Sequence, residues 1–271
     1  MTGEDGRRAP VVGPTVRALL CVLVVLTALL LVPLALAGER PAEATPAALA
    51  AWTTGGPAGH TPALPAEELA DRLATDVQLD PDGSAVVTET IRWRFPDGEE
   101  RHGILRNVKV RAGYQDSETQ YRYYELTGVT VTSPSGAPTD IAVSDFGAFR
   151  QIRIGSPSQT ISGTADYVVR YRLAHVVNDI GDGTAEFYYN VVDPSNGFPQ
   201  LDVSATVTGP APATRAACFY GELGSQTPCE ATAGLTSTFA VPDLEAEQGA
   251  SVLTSYPRAA FGDLTPDLRE G

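Results

Sequence analysis

Glu186 and Asp193 are the two acids with which this chain could hydrolyse a glycosidic bond, chemistry that needs a pair of carboxylates facing one cleft. Glu186 opens a strand pattern. Asp193 begins the turn Asp193-Pro194-Ser195-Asn196-Gly197, so the chain could fold one acid toward the other. The plainer reading is that acids are common in β-turns, where their oxygens bond nearby backbone. His102 and Arg106 form a second candidate, lying on the same face of an extended segment around Ile104. An imidazole beside a guanidinium can bind a carboxylate or phosphate. The competing reading pairs Arg106 with a carboxylate such as Glu89 and fixes the register of a sheet. No GxSxG, HExxH, P-loop or dinucleotide fingerprint follows the N-terminal segment, so no catalytic residue is assigned beyond the Glu186–Asp193 alternative.

Metal and cofactor chemistry find little footing. His60 and His175 have no second histidine or cysteine at ligand spacing, so no zinc site is expected. Asn178-Asp179-Ile180-Gly181-Asp182-Gly183 is rich in oxygen but lacks the acidic spacing of a calcium loop and reads as a turn. Cys218 and Cys229 flank a loop containing Gly, Ser and Pro, which suits a disulfide between adjacent strands. The alternative, a redox-active or metal-binding pair, has neither CxxC spacing nor a nearby histidine.

The elements that must carry these residues begin with residues 18–37, which contain no charged side chain and follow Arg7, Arg8 and Arg17. A run of about 20 apolar residues can cross a bilayer as a helix, and basic residues ahead of it favour sending the rest across. Ala35-Leu36-Ala37 also fits a signal-peptidase site. The segment is therefore expected either to anchor the chain in the cell membrane, single-pass with the C-terminal part extracytoplasmic, or to be cleaved after Ala37 and leave a secreted product. Residues 1–17 would stay cytoplasmic. Residues 38–65, dominated by Ala, Pro, Gly and Thr, read as a disordered linker. The net charge of −14 repels phosphates, so nucleic acid is not an expected partner.

A folded domain is expected over 66–257, opening with a short helical turn at 66–73. Residues 84–95 alternate, with Val87, Glu89, Ile91 and Trp93 on one face and Thr88, Thr90 and Arg92 on the other. Asp80-Pro81-Asp82-Gly83 joins this segment to a strand at 74–79. Further strands are predicted at 104–110, 121–132, 139–144, 149–154, 164–174, 185–191, 201–208, 214–220, 235–240 and 251–255. Short strands at close spacing without helical patterns between them predict an all-β fold, an antiparallel β-sandwich-like domain. Residues 258–271 are polar, contain Pro266 and are expected to form a flexible tail.

The order of several short motifs resembles a family of predicted membrane proteins, domain-of-unknown-function family 2207, through its N-terminal domain. These are Asp82-Gly83-Ser84 with Val87-Thr88-Glu89-Thr90, His102-Gly103-Ile104-Leu105-Arg106, and Ile152-Arg153-Ile154-Gly155. Tyr167, Tyr171 and Glu186-Phe187-Tyr188-Tyr189-Asn190 follow, and Cys218, Gly221 and Cys229 also fit. The resemblance implies an extracytoplasmic β-domain on a membrane protein, without an assigned activity. Family members usually continue into further transmembrane helices, and no second apolar segment follows here. The expected function is a non-catalytic binding or scaffold module of the cell envelope, partnered by the membrane through the N-terminal segment and by an envelope protein or glycan. The rival is an envelope hydrolase using Glu186 and Asp193.

Overall fold

The computed structural model describes residues 67–115 and 117–271. The expected membrane segment 18–37 and linker 38–65 lie outside the described residues, as do Cys21 and His60. The first half of the domain carries β1 (Leu69–Leu79), β2 (Ala85–Arg94), β3 (Ile104–Lys109), β4 (Arg111–Gly113) and β5 (Gln120–Tyr123). It continues with β6 (Leu126–Thr132), β7 (Ile141–Phe146), β8 (Phe149–Ile154) and β9 (Thr164–Leu173). The second half carries β10 (Val177–Asp179), β11 (Thr184–Val192), β12 (Val203–Thr208), β13 (Arg215–Gly221) and β14 (Thr227–Pro228). Then come β15 (Glu230–Thr232), β16 (Thr236–Val241), β17 (Gly249–Pro257) and β18 (Leu268–Glu270).

Seven strands form one sheet in the order β15-β16-β12-β1-β2-β9-β6, and five form a second in the order β10-β11-β17-β13-β14. Period-two burial aims one face of each into a single core, with Leu73, Val87 and Tyr171 from the first sheet and Phe187, Val252 and Cys218 from the second. The smaller sheet β3-β8-β7 adds Ile104, Val108, Ile152 and Ile154 to that core. Fully burying a Leu, Ile or Val contributes roughly 1.5–3 kcal/mol. The result is the antiparallel β-sandwich expected from the strand pattern. Among the described strand pairs, β1–β12 alone is parallel, with Leu73 opposite Val203 and Val77 opposite Val207.

Two local expectations differ. In place of a helical turn at 66–73, β1 already begins at Leu69 and pairs with the far end of β2, Leu69 opposite Arg94. A bulge between Ala70 and Arg72 breaks the alternation that would have revealed it. The acids of this segment are engaged: Glu68 accepts from Trp93 Nε1 and Arg101, and Asp71 from Arg94. In place of a flexible tail over 258–271, Arg258–Ala260 forms a 3-10 turn, Phe261 and Leu264 are buried, and β18 pairs with β5. The Arg269 guanidinium, 3.5 Å from the centre of the Tyr123 ring, adds a cation–π contact to that pairing.

The start of β3 is held by a backbone contact that only glycine permits. A Cβ on Gly103 would lie 1.9 Å from the Ile154 carbonyl oxygen, and one on Gly155 would lie 2.0 Å from that of His102. Both residues also have positive φ, 137° and 128°. This contact sets the register in which Arg106 enters the core.

Candidate functional site

Four separate stretches of chain meet in one buried polar cluster. Glu89, on the inward face of β2 between Val87 and Ile91, has no solvent exposure. Arg106 of β3 grips its carboxylate with two bonds, Nε to Oε2 at 2.8 Å and Nη2 to Oε1 at 2.7 Å. The Tyr171 hydroxyl donates to Glu89 Oε1 at 2.8 Å and meets the Tyr189 hydroxyl at 2.6 Å. Burial would lower the Arg106 pKa, but the Glu89 carboxylate outweighs it and holds the guanidinium charged well above its usual range. Burial, reinforced by the Glu89 charge, pushes both tyrosines up, so they are neutral donors. Two matched charges joined by two hydrogen bonds, with a tyrosine hydroxyl on the same carboxylate, make a stable interior constellation.

Tyr189 links this cluster to the surface. With Asn107, Val108, Tyr124 and Leu173 it lines a recess of about 70 Å³. Lys109, Tyr188, Asn190 and Asp193 border both the recess and an open cleft of about 1270 Å³. The cleft walls are the turn after β11, the loop Glu245–Gly249 before β17, and the loop Glu222–Gln226 between β13 and β14. Glu247 N–H donates to the Asn196 carbonyl at 3.0 Å and so joins the first two walls, with Glu247 held at φ 66°. The third wall is stapled at its base by the Cys218–Cys229 disulfide and carries Leu223, 88% exposed, at its tip. Tyr188, Phe149, Phe219 and Tyr220 supply aromatic surface. Asp193, Glu222, Glu245 and Glu247 supply negative charge, and none of them has an ion-pair partner among the described residues. Lys109, the only lysine of the chain, is among the described residues the one basic residue lining the cleft.

Asp193 is thus in the cleft, where it accepts from Asn190 Nδ2 at 3.2 Å and from the Ser195 N–H at 3.0 Å. Glu186 lies on β11 opposite Ser255, four strand residues or about 13 Å from Asn190, and does not line the cleft. The structure does not gather the two acids around one cavity. Nor does it join His102 and Arg106: Arg106 turns inward to Glu89, while exposed His102 places Nδ1 3.1 Å from the carbonyls of both Ser156 and Gln159. His175 Nδ1 meets the Thr265 carbonyl at 3.2 Å. The Asp179 carboxylate is taken by Arg258 and the Gly181 N–H, and that of Asp182 by the Thr184 N–H. Tyr171 and Tyr189 went unassigned by sequence reasoning. The available signal was Glu89, a charge set within an apolar strand face that had to find several donors.

A family model described as "Predicted membrane protein (DUF2207) N-terminal domain" matches residues 70–256. No curated protein is similar to the chain. Among solved structures, native yeast LTA4 hydrolase is similar at 7% identity and a TM-score of 0.40, covering 70% of this chain and 29% of that one. An M1 zinc metallopeptidase from Deinococcus radiodurans is similar at 9% identity and a TM-score of 0.35, covering 69% and 42%. A putative protease from Parabacteroides distasonis is similar at 10% identity and a TM-score of 0.38, covering 70% and 41%. The chain spans less than half the length of each of these proteins, and likenesses this distant transfer no activity to it.

Proposed function

The chain belongs to the DUF2207 family of predicted membrane proteins, and from that premise we propose that its β-sandwich is a non-catalytic recognition module of the cell envelope, displayed outside the membrane by residues 18–37 and the linker 38–65. One observation carries this reading: the buried charges are spent on one another, while the open cleft offers aromatic rings and carboxylates that have no ion-pair partner among the described residues. Rings on the strands and acids on the loops of a rigid sandwich suit binding, where rigidity limits the entropy lost on association.

Lys109 gives a direct readout, because amine acylation of a chain with one lysine reports occupancy of the cleft. Soluble peptidoglycan fragments, carrying both glycan and peptide, are the first probe. The expected result is protection of Lys109 and recovery of the fragments intact. Cleavage of the fragments that Asp193→Asn abolishes would replace the proposal with a hydrolase.

A further inference from the structure

β11 ends in an unpaired edge inside the cleft. β10 covers β11 only from Ala185 to Phe187, because His175, at φ 61°, bends the chain away and the Val176 and Val177 N–H groups both turn to the Gly83 carbonyl. The Thr184 carbonyl accepts from Ile180 on the β10 side. Strand alternation therefore turns the main-chain N–H and C=O of Tyr188 and Asn190 to that same side, ahead of the register shift between Asn190 and Val192, and β17 occupies only the other. Among the described residues no strand pairs with β11 there. That edge opens where Tyr188, Asn190, Asp193 and Lys109 border both recess and cleft.

We propose that the occupant of the cleft is an extended, basic peptide segment of an envelope protein, which adds as a short strand to the open edge of β11 at Tyr188–Asn190. The proposal rests on the cleft being a recognition surface and names what it recognises. Main-chain pairing explains why the edge is left open beside a cavity, and it recognises a peptide backbone regardless of sequence. Side-chain preference comes from charge: among the described residues, four acids without an ion-pair partner against one lysine favour Lys or Arg along the ligand. Tyr188, half exposed on β11 with its hydroxyl donating to Ser251 at 2.7 Å, gives the aliphatic stems of such residues a fixed ring to lie on.

The test uses the full chain in detergent and three synthetic octapeptides: alternating Lys-Val, alternating Glu-Val, and Lys-Val with alternate amides N-methylated. Chitin oligosaccharide is the non-peptide arm. Lys-Val is expected to bind in the micromolar range, weakening as salt rises, and to shield Lys109 from acylation. N-methylation, and the double variant Glu245→Gln/Glu247→Gln, are each expected to weaken binding at least tenfold, while Glu-Val does not bind. Equal binding of the methylated peptide would overturn the strand pairing, and equal binding of Glu-Val would overturn the charge argument. Binding of the oligosaccharide alone would remove the peptide but keep the recognition module. Failure of peptides, chitin and peptidoglycan fragments alike to protect Lys109 would remove both.

Discussion

Removing either partner of the Glu89–Arg106 pair strands the other charge in the core. Arg106→Ala and Glu89→Ala are each expected to cost about 3–5 kcal/mol in urea unfolding. The double variant Glu89→Leu/Arg106→Met should recover most of that, because no unmatched charge then remains. A double variant as unstable as the singles would show that the pair does more than neutralise itself. The tyrosines add a pH signature. Tyr171 and Tyr189 are raised above 10.0, chiefly by burial and then by Glu89, so the folded state holds their protons more tightly than the unfolded chain. That stabilisation is complete below about pH 10 and is lost as pH climbs through the folded-state values. Denaturation between pH 9 and 12 should show stability falling from about pH 10 upward, with a shallower fall in Tyr189→Phe.

Gly103 and Gly155 hold the β3–β8 contact, and a methyl group on either meets a carbonyl oxygen at 2.0 Å or less. Gly103→Ala is expected to cost roughly 3 kcal/mol or more, whereas Gly197→Ala, with open space around it, should be near neutral. The disulfide closes a loop with a sequence separation of 11, worth ~3 kcal/mol through the unfolded chain. Cys218→Ser/Cys229→Ser should lose about that much thermal stability and loosen the cleft wall at Leu223. These elements were legible in the sequence to different degrees. The alternation at 84–95 is β2, because one face is buried and the other solvated. The cysteine pair is bonded because the β13–β14 turn brings its members together. β1 was half hidden, since its bulge erased the period-two pattern and its acids are satisfied by distant arginines. β18 was hidden altogether, because a strand of three residues held by Arg269 on Tyr123 leaves no periodicity to read. The cleft was hidden for a related reason: its walls are three loops that only sheet topology brings together.

At the scale of the molecule, an acidic sandwich with a bonded cysteine pair fits a family of predicted membrane proteins. The proposal of display outside the membrane predicts that the chain sediments with membranes, or appears in the medium if cleaved. In either case Cys218 and Cys229 should resist alkylation until a reductant is added, and free thiols in a cytosolic fraction would contradict it. The parallel pairing of β1 with β12 bears on how such a domain is made. β1 sits in mid-sheet, yet one flank is completed only by residues 130 positions downstream, as in the Asp76–Thr206 contact. A polypeptide emerging from a translocation pore or a ribosome, N-terminus leading, therefore cannot close its largest sheet until most of its length is out. Such long-range closure is slow. Maturation is expected to be late and concerted, with the leading strand sticky and in need of a chaperone until its distant neighbour arrives.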